Sequence, residues 1–304
     1  MSAESRAMSD VDLSDEAFEK YREAGSILRE VLDAAAEQVS PGTTHLEVAE
    51  FAEEQTRELG GEPAFPANIS VNEEASHATP GRDDETEFQG GDLVCLDVGV
   101  HVDGWIADAA VSVDLGNHTE LVEAAEEALD AALEIAGPGT HTGEMGAEIQ
   151  EVIEAYGYNP IVNLTGHGLE HYDAHTGPNV PNRRVQSGVE LQPGDVIAVE
   201  PFATDGRGKV SEGQKTEIFS LEAERNVRNR QARQLLEDIS ERYDRLPFAA
   251  RWFEGGRTDM TLQRLEQQDV IRSYPVLKEV DGAMVSQAEH TFVVTEDDIE
   301  VTTR

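Results

Sequence analysis

The sequence predicts an α+β fold built from two related halves, with a further segment inserted into the second half. Two observations predict it. Short motifs recur along the chain in the same order, and each half carries two amphipathic helix patterns followed by strand patterns. Two such halves would pack their sheets together and leave the helices outside.

The internal repeat is defined by landmarks that share an order. Each half has a Pro-Gly-Thr turn, a glutamate, a glycine that ends a helix, a histidine and a strand that opens with Gly-Asp. These landmarks are Pro41 and Pro138, Glu47 and Glu144, Gly60 and Gly157, His77 and His175, and GDLVCLD (91–97) and GDVIAVE (194–200). A pseudo-two-fold axis would superpose Asp97 on Glu200 and would bring carboxylates and histidines of both halves together.

Four helices are predicted, over residues 14–39, 44–59, 119–136 and 142–156. Thr44 and Glu47 have the spacing of a capping box, and Gly137-Pro138-Gly139 is a strong helix breaker. Strands are expected after the second helix of each half, at 67–70 and 162–165.

The first chemically distinctive segment is LDVGVHVDGWIADAAV (96–111). Its alternation and its Asp103-Gly104 turn predict a β-hairpin. Asp97 and Asp108 lie on opposite arms, within apolar surroundings that disfavour a solvent-facing position. Cross-strand pairing would bring both carboxylates to one face, where they would need a cation or a proton.

Three further residues complete a candidate metal site. His167 is flanked by glycines and lies near His171 and His175, Glu200 ends an apolar strand, and Glu289 lies in a predicted strand over 285–294. Four carboxylates and one imidazole can neutralise two dications, and oxygen-rich ligation favours Mn, Fe or Co over a closed zinc site. A two-metal hydrolase is therefore expected.

The order of these motifs resembles one family across nearly the whole chain. Asp-x10-Asp, GHG, EPF, QAEHT and FPANISVNEEASHATP (65–80) are similar to segments of the methionine aminopeptidases, which have the pita-bread fold. The resemblance implies Asp97, Asp108, His167, Glu200 and Glu289 as ligands of two divalent ions (Co, Mn, Fe or Zn). It implies His77 and His175 as the histidines that contact substrate.

This resemblance implies removal of the initiator methionine from new polypeptides, with a preference for a small second residue. His175 would stabilise the oxyanion, His77 would contact the scissile amide or assist proton transfer, and Glu200 is a candidate proton shuttle. The apolar pocket for the methionine side chain is expected to involve Phe65, Ile69 and Tyr274.

An insertion between the last two ligands predicts the subtype. Residues 220–275 show a helix over 231–243, an aromatic turn over 246–253, a further helix carried by Met260, Leu262, Leu265 and Val270, and then a hairpin. We predict a winged-helix-like subdomain over 220–275 and a catalytic domain over 1–219 and 276–304. The insertion and YPVLKE (274–279) resemble the type 2 enzymes of archaea.

Composition limits the partners and the compartment. The net charge is −39, with 62 acidic and 23 basic residues, and the mean hydropathy is −0.46. A chain this acidic is not expected to bind nucleic acid or anionic membranes. This holds despite the basic stretch at Arg225, Arg228, Arg230 and Arg233. We expect a monomeric cytoplasmic protein of a halophilic host. Cys95 is the only cysteine, and we expect it to be buried and inert.

Two other functions remain open at this point. A proline-specific dipeptidase of the same fold would use a similar ligand set, but it usually has an N-terminal domain and lacks the insertion. A non-catalytic protein that binds ribosomes or nucleic acid on this scaffold is the second, although all five ligand positions are filled here.

Overall fold

The computed structural model describes residues 13–223, 227–255 and 257–304. One expectation falls outside these ranges, namely the contribution of Arg225 to the basic stretch. The described helices are α1 (Asp15–Ala36), α2 (His45–Glu58), α3 (Thr119–Ile135), α4 (Thr142–Ala155), α5 (Arg230–Tyr243) and α6 (Thr258–Glu266), with a 3-10 helix at Ala250–Trp252.

Most of the described strands lie between α2 and α3 or between α4 and α5. The described strands are β1 (Glu62–Pro63), β2 (Asn68–Val71), β3 (Glu74–Ser76), β4 (Leu93–Val102), β5 (Trp105–Asp114), β6 (Asn159–Pro160), β7 (Thr165–Glu170), β8 (Asp173–Pro181), β9 (Val196–Val199), β10 (Phe202–Thr204), β11 (Ser211–Leu221), β12 (Phe248–Ala249), β13 (Ile271–Lys278), β14 (Val285–Gln287), β15 (His290–Val294) and β16 (Ile299–Val301). This mixture of helix and sheet confirms the α+β prediction.

Each half contributes one main sheet. In the first half β4 pairs with β5 on one side and with β1 and β2 on the other. In the second half the order is β16-β15-β9-β7-β8. All the pairings within these two sheets are antiparallel.

The helices cover the outer faces of the two sheets. The side chains of α1 and α2 pack with Val94, Leu96 and Val98 of β4 in one apolar cluster. Those of α3 and α4 pack with Ile197 and Val199 of β9 in another. Because side chains alternate along a strand, Asp97 of β4 and Ala198 of β9 point the other way, toward the seam between the halves.

Hydrogen bonds cross the seam between the two halves. Ser112 on β5 donates its hydroxyl proton to the Gln287 carbonyl at 2.8 Å, and Ala110 pairs with Glu289 as an isolated bridge.

Cys95 is 1% exposed, and burial raises the pKa of its thiol to about 11, as suits an inert residue.

The predicted helices agree with the structure to within a few residues because capping residues and breakers mark their ends. Ser14 accepts from the Ala17 amide, and Thr44 and Glu47 form the full capping box.

Three strand predictions were wrong. Residues 162–164 form a turn, so β7 begins only at Thr165, and the predicted strand over 285–294 is two strands with a break at Ala288 and Glu289. No hairpin follows α6, because β13 pairs with β11 and with β3.

The insertion packs as helices on a small sheet. The helices α5, α6 and the 3-10 helix share an apolar cluster with Phe219, Phe248 and Ile271, which belong to the three strands β11, β12 and β13. Its winged-helix character and the domain boundary at 220–275 stay predictions. Within the described ranges, no helix combines the length and the hydropathy of a bilayer-crossing segment.

Candidate metal centre and substrate site

The first two carboxylates come from the β4–β5 hairpin. Asp97 lies opposite Ala110 and Asp108 lies opposite Gly99, so the two aspartates are diagonal neighbours on the seam-facing side. Both are buried, at 9% and 3% exposure. The Asp103-Gly104 turn, with both residues at positive φ, sets this register.

The second half supplies the other three side chains from its own seam-facing side. His167 on β7 lies opposite Ala198 of β9, and Glu200 follows the end of β9 directly. Glu289 occupies the break between β14 and β15 and is 1% exposed.

These side chains converge. The His167 Nε2 atom lies 3.8 Å from Asp108 Oδ2 and 3.7 Å from Glu200 Oε1. Ligand atoms of Asp108, His167 and Glu289 all lie within 4.8 Å of one another. The structure therefore brings these residues of both halves into one buried cluster.

The electrostatics of the cluster call for positive charge. Burial raises the pKa of Asp97 to about 7. Burial, followed by repulsion from neighbouring carboxylates, raises the pKa of Asp108, Glu200 and Glu289 well above the ordinary values. Among the described residues, no hydrogen-bond partner reaches Asp97 Oδ1, Asp108 Oδ1 or Glu289 Oε1.

The donor set fits divalent metal ions. Buried carboxylate oxygens without partners carry a large desolvation cost that coordination removes. The His167 Nδ1 atom lies 3.3 Å from the Gly168 carbonyl oxygen. Because a carbonyl only accepts, Nδ1 bears the proton and the Nε2 lone pair faces the carboxylates. Burial, with His175 nearby, lowers the pKa of His167 to about 3, which keeps it neutral for ligation.

Two further histidines flank the cluster. The His175 ring centroid lies 4.4 Å from that of His167. His77 lies on the loop after β3, where its Nδ1 atom is 3.3 Å from the Pro275 carbonyl oxygen and its ring meets Tyr274 edge-on at 5.4 Å. Burial, followed by the charge of His175, lowers the pKa of His77 to about 4, and burial also lowers the pKa of His175.

Of the three residues expected in the methionine pocket, two lie near these histidines or ligands. Tyr274 contacts His77, and Phe65 lies so close to Gly99 that a Cβ there would come within 2.2 Å of the Phe65 ring. A cavity of about 820 Å³ borders His167 and His175.

The structure does not place Ile69 in the expected pocket for the methionine side chain. It pairs with Leu96, so both point to the helix-covered face, opposite to the face that carries Asp97. It is 2% exposed and belongs to the apolar cluster under α1 and α2. Its place in the FPANIS motif did not reveal which side of the sheet it faces.

Three residues near the ligands were missed. Asn68 lies opposite Asp97 and is 4% exposed. Gln287 donates from Nε2 to Glu289 Oε2 at 3.1 Å, and the Thr291 hydroxyl bonds to both the amide and the carbonyl of Asp108. Strand alternation places Gln287 on the face of Glu289, which was the one signal in the sequence.

Comparisons with known proteins agree with this geometry. The model of metallopeptidase family M24 matches residues 19–296. A methionine aminopeptidase of Archaeoglobus fulgidus is 50% identical over 292 residues, which cover 96% of this chain and all of the relative.

Solved structures share the fold. A methionine aminopeptidase from Thermotoga maritima superposes with a TM-score of 0.71 at 26% identity, over 96% of this chain and 98% of that one. A thermophilic Arx1 superposes with a TM-score of 0.86 at 19% identity, over 95% and 91%, and this likeness concerns the fold alone. With a matching family model and a relative of this identity along its whole length, the chain belongs to the methionine aminopeptidases of metallopeptidase family M24.

Proposed function

We propose that this chain removes the initiator methionine from proteins and peptides in a metal-dependent hydrolysis. The observation that carries the proposal is the buried cluster at the seam, in which Asp108, His167 and Glu289 lie together, Glu200 lies 3.7 Å from His167, and the His175 ring lies beside that of His167. The 50% identity to a methionine aminopeptidase supports the choice of substrate.

Asp97, Asp108, His167, Glu200 and Glu289 would hold two divalent ions, of Co, Mn, Fe or Zn. With divalent ions bound, this set of residues would make a hydroxide nucleophile available at neutral pH and would provide positive charge near the free amino terminus of the substrate. Four carboxylates balance the charge of two dications, which supports two ions rather than one.

The neutral state of His77 determines which of its ring nitrogens donates a hydrogen bond and which can accept one from a peptide. Since Nδ1 faces the Pro275 carbonyl, the proton resides there and the Nε2 lone pair is free. His77 would accept a hydrogen bond from the scissile amide and take part in proton transfer. His175, which lines the cavity of about 820 Å³ together with His167, would donate to the carbonyl oxygen and stabilise its developing charge.

Phe65 and Tyr274 would line the pocket for the methionine side chain, and the crowding around the histidines would favour a small second residue. Glu200 would pass the proton from the nucleophile to the leaving amine. We further propose a monomeric, cytoplasmic, halophilic enzyme that acts on new polypeptides without binding nucleic acid, in line with its charge of −39.

The test is methionine release from a Met-Ala-Ser peptide in high salt, with metal removed by chelation and then with Mn or Co restored. We expect no activity after chelation and recovery on addition of either metal. Asp108→Ala should abolish release while the far-UV spectrum stays native. Release of proline-containing dipeptides instead of methionine would contradict the proposal, as would a protein that binds no metal.

A further inference from the structure

A buried ion pair joins α2 to the insertion. Glu53 on α2 and Arg251 on the 3-10 helix form the pair, and their side chains are 6% and 3% exposed. The second Glu53 oxygen accepts from Trp252 Nε1 at 2.7 Å, so two consecutive residues of the insertion bind one carboxylate. Burial raises the pKa of Glu53, and the charge of Arg251 opposes that rise.

The same pair holds both ends of the segment 67–80. At one end the Ala67 amide donates to Glu53 Oε1 at 3.3 Å. At the other end Arg251 Nη1 donates to Thr79 Oγ1 at 2.8 Å and to the Pro80 carbonyl at 3.2 Å. The Thr79 hydroxyl in turn donates to the Ala67 carbonyl at 2.8 Å, which closes the segment into a loop.

This loop carries His77, whose backbone is unusual. The φ angle of His77 is +60°, a left-handed conformation that non-glycine residues rarely adopt. Such a conformation persists only where the surroundings hold it. The Glu53–Arg251 pair bonds two and three residues away from His77, at Thr79 and Pro80, so it is placed to do so.

The insertion reaches the loop at a second place. Tyr274 and Pro275 of β13 contact the His77 ring. Arg251 and Trp252 bind Glu53, and Arg251 also bonds to Thr79 of the loop. The loop therefore lies between two parts of the insertion.

We propose that the Glu53–Arg251 pair is a positioning pair for the reaction, which fixes the loop 67–80 and so the direction of the His77 imidazole. The insertion thereby becomes part of the apparatus that orients a substrate-contacting histidine. The inference rests on the proposed function of His77. Neither Glu53 nor Arg251 touches the substrate, so both act through the loop.

Burial of charge supports positioning over mere stabilisation. Apolar side chains of similar size often stabilise a protein as well as a buried ion pair does. Apolar side chains could not bond the Ala67 amide, the Thr79 hydroxyl and the Pro80 carbonyl at fixed geometry. The charged pair supplies directional bonds where the loop needs them.

The experiment compares Arg251→Lys and Thr79→Val with the control Arg22→Lys. Lysine keeps the charge at 251 but loses the planar fork that reaches Glu53, Thr79 and Pro80 together. Thr79→Val leaves the ion pair intact but removes one of its bonds to the loop, together with the Thr79–Ala67 bond that closes the loop. Arg22 forms two bonds to Glu300, far from the loop, and serves as a matched loss of an arginine fork.

Three quantities are measured for each metal-loaded variant below its Tm: kcat and KM for methionine release, and hydrogen exchange of the amides of residues 67–80, which is repeated without metal. For Arg251→Lys we expect kcat to fall by about 10- to 100-fold, as for a misplaced catalytic group, with a smaller change in KM. Exchange in the loop should become faster. Thr79→Val should show the same changes to a smaller extent, and Arg22→Lys should change only the Tm.

The inference is wrong if both loop variants keep kcat within twofold and leave exchange in 67–80 unchanged while the Tm drops. If Arg251→Lys fails to fold, Thr79→Val decides by the same criteria. A wild-type protein that releases no methionine would contradict the proposed function, whereas an active wild-type protein with unaffected variants would contradict only the positioning pair.

Discussion

At two histidines of the candidate site, a backbone carbonyl selects which ring nitrogen is free. His77 and His167 each place Nδ1 near a carbonyl oxygen, which leaves Nε2 as an acceptor toward the site. Burial is the main cause of the low pKa of both rings. His167 lies within the ligand cluster, where its free nitrogen can bind a metal ion. His77 lies beside Tyr274, where its free nitrogen can accept a hydrogen bond from substrate.

The first residue-scale prediction concerns His77→Ala. Loss of a base that contacts the scissile amide should lower kcat by about 10²- to 10⁴-fold, whereas metal content should stay at the wild-type level. Elemental analysis and steady-state kinetics on the same sample measure both. His118→Ala, on a loop away from the ligands, is the control. Unchanged kcat with full metal content would remove His77 from the reaction.

The second residue-scale prediction concerns His101, which lies at the end of β4 away from the ligands. It is 8% exposed, and its Nδ1 accepts from the Gly104 amide at 3.1 Å. Burial lowers its pKa from 6.5 to about 4; Asp103 opposes this and His171 adds to it. Between about pH 6.5 and pH 4 the unfolded chain therefore binds a proton at this residue that the folded protein does not.

The free energy of unfolding should accordingly decrease as the pH falls from about 6.5 to about 4, by up to roughly 3 kcal/mol from this residue. Urea titrations at several pH values measure the slope. Asparagine at 101 can still accept from Gly104 but does not titrate, so His101→Asn should flatten the curve. Parallel curves for the two proteins would show that His101 does not contribute.

At the scale of elements, helix ends are encoded locally. The Thr44 hydroxyl accepts from the Glu47 amide at 3.1 Å, and Glu47 bonds back to the Thr44 amide at 2.8 Å. Both residues are neighbours in the sequence, so the box could be predicted from spacing alone.

Thr44→Ala should lower the free energy of unfolding by about 1 kcal/mol, because it leaves an amide of the first turn without its partner. Thr43→Ala removes a neighbouring hydroxyl that bonds to the Ser40 hydroxyl and takes no part in the capping box, and it is the control. Chemical denaturation of both variants gives the comparison, and equal stability of the two would contradict a capping role.

The parts of the structure that sequence did not predict depend on distant partners. Glu289 lies in a strand break because its neighbour across the seam is Ala110. The turn at 162–164 is held by bonds such as that from the Asn163 amide group to the Val210 carbonyl. Glu53 reads as one more acidic residue of an amphipathic helix, since its partner Arg251 lies far away in the sequence.

The ligand types were more predictable than their surroundings. Carboxylates within apolar strands are unusual enough to be noticed without an alignment, as Asp97 and Asp108 show. Asn68 and Thr291 are ordinary strand residues. The pairing of β2 with β4 brings Asn68 opposite Asp97, and the packing of the two halves brings Thr291 to Asp108.

At the scale of the whole molecule, like charge dominates the surface. Within α3, the pKa of Glu126 is raised by burial and then by Glu123 and Asp130, which is the sign expected where carboxylates repel one another. Three of the four lysines already form ion pairs with carboxylates, at Asp103, Asp84 and Glu73. With 62 acidic and 23 basic residues, carboxylates outnumber the cations that could balance them.

Thermal stability should therefore increase with KCl, since salt screens the repulsion between exposed carboxylates. Scanning calorimetry from low to molar KCl measures it. Glu126→Gln should raise the Tm at low salt and have little effect at high salt. A Tm that is highest without salt would contradict the proposed adaptation to a saline cell.

The bonded seam between the halves has a consequence for any divided form of the protein. A break in the loop between β5 and α3 would leave Asp97 and Asp108 on one piece and His167, Glu200 and Glu289 on the other. Neither piece alone holds enough ligands for a pair of dications, but the pieces share the Asp108–Thr291 and Ser112–Gln287 bonds. Metal affinity would then report on reassembly of the fragments, which makes this chain suited to a split-protein sensor.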